Sequence, residues 1–185
     1  MNNKKLPFEG FRTYFLYFMV YCILGWLYEV FLEVVIYRWG FSNRGLLFGP
    51  YLPVYGTGAL LILACTNPWL HKKIKIGKIN LTPVLAFLVI VIVTTIVELI
   101  VSYLLEWTIG YWLWDYTSYK IQFQGRICLS ASVRFGLGGL IIVYFIQPFL
   151  VKLKEALTEK AKLILFFIMF VPFCLDWVHV IFFKK

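Results

Sequence analysis

Five long apolar stretches, at about residues 13–37, 51–69, 83–109, 127–150 and 163–183, alternate with short polar connections along the chain. A helix needs roughly 20 apolar residues to cross the hydrocarbon core of a bilayer, and each stretch is of that order. The pattern predicts an all-α fold, a polytopic transmembrane helical bundle of about five spans. No connection has room for a soluble domain, so residues 1–185 are expected to form a single integral membrane domain. Ahead of the third stretch, Thr82 is placed to cap a helix and Pro83 suits its first position. The first stretch follows Lys4, Lys5 and Arg12, as in a signal peptide, but it is too long and lacks a small-residue cleavage site. It is expected to remain as an anchor.

Composition agrees. Hydrophobic residues make up 62% of the 185 and charged residues 15%, with a mean hydropathy of +0.82. Soluble domains have about 45–50% apolar and about 25% charged residues. A water-soluble globule, a disordered chain and a small disulfide scaffold are thereby excluded. The four cysteines (Cys22, Cys65, Cys128, Cys174) lie in or beside apolar runs without ligand spacing, so neither disulfide, metal nor cofactor is expected.

The net charge of +9 would suggest nucleic acid in a soluble chain. Here the expected partner is the lipid bilayer, with no nucleic acid involved, because loop lysines and arginines set orientation and meet anionic headgroups. Eleven basic residues lie at the N-terminus and in the connections around 72–78 and 152–162, against six on the other side. This distribution predicts a cytoplasmic N-terminus. On the opposite rim, Trp39, Phe41, Trp107, Tyr111, Trp112, Trp114 and Tyr116 read as interfacial anchors, or as part of a lid over a cavity.

Ionisable side chains inside the spans change the picture most. Glu29 and Glu33 occupy the first span, Glu98 and Glu106 the third with Ser102 midway, Arg134 the fourth, and Asp176 and His179 the fifth. Arg44 and Arg126 stand just before spans two and four. Each such group costs about 2.5–3.5 kcal/mol to insert, and it faces a protein interior or a watery cavity. With alternating span directions, all of them fall in one leaflet. Two readings follow: a salt-bridge network that locks the helices, or an outward-facing pocket for a small polar or charged solute.

The segments NRGLLFGPYLPVYGTG (43–58) and QGRICLSASVRFGLGG (124–139) each follow an acid-bearing span, carry an arginine, and reach paired glycines about a dozen residues later. They suggest a parallel repeat of two hairpins plus one extra helix. Pro50, Pro53 and Gly56 make the entry to span two irregular, which a membrane tolerates only beside protein or water. Together with GWLYE (25–29), WDY (114–116) and Pro148, these strings resemble the bacterial family of ABC-transporter type IV (CmpB-like) membrane proteins over roughly residues 14–150. Span five belongs less clearly to the pattern, and Arg134 and Phe135 stand where it has an apolar residue and a tryptophan. The resemblance implies a multi-pass cell-membrane protein acting as a transport permease.

No GxxxxGK[ST] phosphate loop occurs, so ABC-type transport would need a separate ATPase subunit. GxSxG, HExxH and Ser/His/Asp patterns are also missing, which leaves catalysis without a recognisable motif. Asp176 and His179, three apart, could still form an acid–base couple acting on a lipid-linked substrate. Ser132, Gly136, Gly138 and Gly139 permit close helix approach, within the chain or in a homodimer. Residues 150–161 read as an amphipathic helix on the cytoplasmic surface, or as a docking helix for an ATPase. The reading adopted is a permease-like protein that binds an unknown small solute. Arg44 and Arg126 engage its anionic part or the glutamates, and Glu29, Glu33, Glu98 and Glu106 line the wall. The alternatives are a membrane enzyme and a scaffold or sensor with a purely structural charge network.

Overall fold

The computed structural model describes residues 7–43 and 45–183; Lys4, Lys5, Arg44, Lys184 and Lys185 lie outside the described residues. The chain is an all-α membrane protein. Its helices are α1 (Pro7–Phe31), α2 (Pro53–Leu70), α3 (Thr82–Ile109), α4 (Leu129–Ile141), α5 (Gln147–Ala156) and α6 (Glu159–Phe183). A π-helical turn, Leu32–Ile36, ends α1, and another, Ile142–Ile146, joins α4 to α5. Among the described residues, four continuous helices are long and apolar enough to cross a bilayer: Phe8–Ile36, Thr82–Ile109, Leu129–Ala156 and Glu159–Phe183. The fifth expected span, α2, has 18 residues and spans about 27 Å, the lower edge of what a bilayer requires. Two small hairpins, β1–β2 (Lys75–Ile76, Ile79–Asn80) and β3–β4 (Gln122–Phe123, Ile127–Cys128), tie the connections.

Two local expectations are corrected. The residues read as a separate surface helix at 150–161 instead continue the fourth span through α5, leaving a connector of only Leu157 and Thr158. Nothing in Leu150–Ala156 breaks a helix, and its amphipathic pattern suits the wet end of a long one as well as a surface helix. Thr82 does not cap α3. The N-cap is Leu81, while the Thr82 hydroxyl donates to the Lys72 carbonyl (2.9 Å) and accepts the Ile74 amide (3.0 Å), fastening the β1–β2 connection.

The chain forms two compact units, residues 1–57 with 151–185, and residues 58–150. In the first unit α1 and α6 run in the same direction, and their aromatic contacts advance together. Phe8 meets Phe166 at 5.7 Å, Phe15 meets Phe170 at 5.2 Å, and Phe18 meets Phe173 at 5.7 Å. Edge-to-face rings of this kind suit the quadrupole geometry of aromatic pairs. Met19, Cys22, Leu47 and Tyr51 complete the core. The start of α2 lies against α1: a side chain on Gly56 would overlap Cys22 and Phe18, and one on Gly25 would overlap the Tyr55 ring.

In the second unit α3 and α4 form an antiparallel hairpin. The buried residues of α3 recur every four positions, with Thr82, Ala86, Ile90, Glu98 and Ser102 on one face. Val84, Leu88, Ile92, Ile96 and Ile100, spaced the same way on another face, are exposed. Polar groups inside and branched aliphatics outside is the arrangement lipid demands. Opposite, Ser132, Gly136 and Gly139 are buried. Ser132 and Thr95 share a hydroxyl hydrogen bond (2.7 Å), a Cβ on Gly136 would overlap Phe87 and Val91, and one on Gly139 would overlap Ile90. Ser132, Gly136 and Gly139 are therefore used within the chain, whereas Gly138 faces open space.

Candidate functional site

The connection from α3 to α4 builds a cage around Arg126. Gly110, at φ 82°, ends α3 in the left-handed conformation, which a residue without Cβ adopts freely. The chain returns to a hairpin whose three-residue tip is Gln124, Gly125 and Arg126. Gly125 is at φ 67° and a side chain there would strike Thr117 and Asp115, so glycine is required by both backbone and space. Its amide donates to Gln122 Oε1 (2.7 Å), and its carbonyl accepts the Tyr116 amide (2.9 Å). Trp114 Nε1 donates to the Arg126 carbonyl (2.7 Å). Cys128 then caps α4, its Sγ accepting the Ala131 amide at 3.3 Å.

This frame points Arg126 onto α3. Its guanidinium donates through Nη2 to Glu106 and approaches the Ser102 hydroxyl at 3.4 Å. The rings of Tyr103 and Trp112 each lie 4.1 Å from its Cζ. Arginine between two aromatic rings is favoured by the ring quadrupoles, increasingly so as water is removed. The Arg126 side chain is 6% exposed, whereas that of Glu106 is 43% exposed. The Arg126 Nε–H, also buried, meets no acceptor among the described residues. A turn deeper, Glu98 is buried and accepts a hydrogen bond from the Tyr116 hydroxyl (2.8 Å). Burial first, and the Glu98 carboxylate second, push the Tyr116 phenol far above its ordinary pKa, so Tyr116 stays a donor. Arg134 is half-buried, its Nε directed at the Ser130 carbonyl (3.3 Å).

In the first unit the carboxylates gather at the far ends of α1 and α6. Asp176 is buried and heavily served: Phe48 and Gly49 donate backbone N–H groups (2.9 Å each to Oδ2), and Tyr51 donates its hydroxyl (2.7 Å). Glu33, buried within the π-helical turn, accepts from the Ser42 hydroxyl (2.7 Å) and amide (3.3 Å). Tyr55 donates to Glu29. Asn43 joins two pieces, accepting from Trp26 Nε1 (2.7 Å) and donating to the Phe48 carbonyl (2.8 Å). His179 is exposed, its ring 4.9 Å from Phe48 and 5.4 Å from Phe183, while Asp176 takes its hydrogen bonds from Phe48, Gly49 and Tyr51. At the opposite end of α1 and α6, Arg12 is buried and pairs with Glu159, which also accepts from Lys162 (2.7 Å).

The candidate residues thus fall into two clusters: Glu29, Glu33, Asp176 and His179 in one unit, Glu98, Glu106, Arg126 and Arg134 in the other. Reading the sequence missed the donors to the carboxylates. Tyr51, Tyr55, Ser42 and the Phe48 and Gly49 amides carry no charge and no periodic signal. It also read Trp112 and Tyr116 as interfacial anchors or parts of a lid, without their polar partners. Trp107 (85% exposed) and Tyr111 (56%) fit that role, but Trp112 cages Arg126 and Tyr116 serves Glu98.

The strings that carry the family resemblance build these clusters. Within GWLYE, Gly25 admits Tyr55, Trp26 holds Asn43 and Glu29 binds Tyr55. Within WDY and GRICL, Trp114 and Gly125 position the arginine that the rings enclose. No curated protein matches the chain. No solved structure matches it either. A family model does, over residues 16–181, and so runs beyond Pro148 through the whole of α6 apart from its last two residues. On that match, the chain belongs to the family described as "Putative ABC-transporter type IV".

Proposed function

We propose that this protein is a membrane-spanning, permease-like subunit of an ABC-type transporter, and that it meets a small anionic solute at Arg126. The observation carrying this reading is the asymmetry of the Arg126–Glu106 pair: a buried guanidinium held between two rings, with a carboxylate partner that stays nearly half exposed. A fixed guanidinium loses little freedom on binding and matches carboxylate or phosphate oxygens in geometry. Its buried Nε–H is a donor that an incoming anion can satisfy. In this mechanism the solute's anionic group displaces Glu106, which swings to water. The aromatic cage keeps Arg126 in place throughout.

With no phosphate loop in the sequence, ATP hydrolysis comes from a separate subunit. The excess of basic residues in the connection at 72–78 and at the helix ends around 152–162 supports a cytoplasmic N-terminus in a bacterial cell membrane. A homodimer would enlarge the path that so few helices can enclose. The second reading, a purely structural network, is favoured by the other carboxylates, since Glu29, Glu33, Glu98 and Asp176 all have donors within the chain. Native mass spectrometry of the protein gently extracted from its own membrane separates the two. Transport predicts a retained small anion and an ATP-hydrolysing partner chain; the naked chain alone would favour the network.

A further inference from the structure

Beside the cage lies a groove that the transport reading does not use. It is open, has a volume of about 440 Å³, and is lined by Tyr119, Lys120, Ile121, Leu129, Val133 and Arg134 among others. That volume is within the range of small-molecule sites, roughly 300–1,000 Å³. Its charged lining is cationic, Lys120 and Arg134, with no carboxylate. Its apolar wall is exposed: Ile121 by 65% and Leu129 by 52%. A second groove of about 250 Å³ shares Ile121 and Leu129 and continues past Phe123 and Ile127.

We infer that these two grooves form a binding site for an anionic phospholipid. Lys120 and Arg134 receive the headgroup phosphate, and the branched aliphatics carry an acyl chain. Spacing supports the assignment. Arg134 lies five residues into α4, about 7.5 Å from its start, and Lys120 stands on the connection before it, which suits a headgroup at the mouth of an apolar span. A free phosphate would need only the cations; the exposed Ile121, Leu129 and Phe123 beside them favour a ligand with a tail. Basic pockets at membrane helices select anionic headgroups in this way, each cation contributing on the order of 1 kcal/mol near the surface. Arg126 takes no part, so the site stands or falls apart from the transport proposal.

The test is native mass spectrometry of the full chain in detergent with added phosphatidylglycerol, phosphatidylcholine or inorganic phosphate. Phosphatidylglycerol should be retained over phosphatidylcholine, and Lys120→Gln should weaken retention about fivefold, the factor corresponding to one such cation. Arg134→Gln should weaken it at least as much. Lys120 is exposed on a connection, so its variant reports binding even if the Arg134 variant misfolds. Equal retention of the two lipids, an unaffected Lys120→Gln chain, or displacement of the lipid by inorganic phosphate would overturn the assignment.

Discussion

Tyr51 donates its hydroxyl to Asp176 across 2.7 Å, joining residues 125 apart in sequence at a point where both are buried. With the Phe48 and Gly49 amides on the same carboxylate, this bond fastens the irregular chain before α2 to the last helix. A backbone that has left helical geometry inside a membrane needs such partners. Tyr51→Phe removes one hydrogen bond to a charged group and should cost roughly 1–2 kcal/mol. Asp176→Ala strands two amides and a phenol and should cost more. Thermal unfolding in detergent checks both; an unchanged midpoint in the Asp176 variant would remove the latch.

The glycines of α4 make a graded prediction. Gly139→Ala presses a methyl into Ile90 and Gly136→Ala into Phe87 and Val91, whereas a methyl on Gly138 meets open space. The first two should destabilise by about 1–3 kcal/mol, as overpacking does. Gly138→Ala should be neutral. Equal melting of all three variants would contradict the observed face of contact.

Much of this architecture is legible in the pattern. The four-residue spacing of Glu98 and Ser102 places them on the buried face of α3, and Ser132, Gly136 and Gly139 of α4 lie where α3 packs. The partners of the carboxylates are not legible. An amide such as that of Gly49 gains meaning only when the chain folds beside Asp176. Trp107 and Trp112 are the same residue on the same rim, and the return of the chain after Gly110 alone makes one an anchor and the other a cage wall. Thr82 failed as a cap because its hydroxyl has better use fastening residues 72–74.

The proposed topology rests on the basic residues near the span ends. Reporter fusions after Lys78 and after Lys120 should report cytoplasmic and external locations respectively. A cytoplasmic signal from the second fusion would reverse the orientation.

The cage itself divides into ring and hydroxyl. Trp112→Ala removes a face from Arg126 and should lower stability by about 2 kcal/mol, since desolvated cation–π contacts reach that size. Tyr103→Phe keeps the ring, loses only the bond from its hydroxyl to Gln124, and should be nearly silent. Matching effects from the two variants, read by thermal unfolding, would mean that the rings do not hold the arginine.

The central claim is that Glu106 occupies a place on Arg126 which an anionic solute takes. Native mass spectrometry of gently extracted wild-type, Glu106→Gln and Arg126→Gln chains measures this directly, with the Glu106→Gln/Arg126→Gln double variant compared by thermal unfolding. Removing the competing carboxylate should raise retention of the bound anion, and removing the guanidinium should abolish it. No anion on any chain, together with a melting temperature restored in the double variant, would contradict the account and leave the pair as a structural lock.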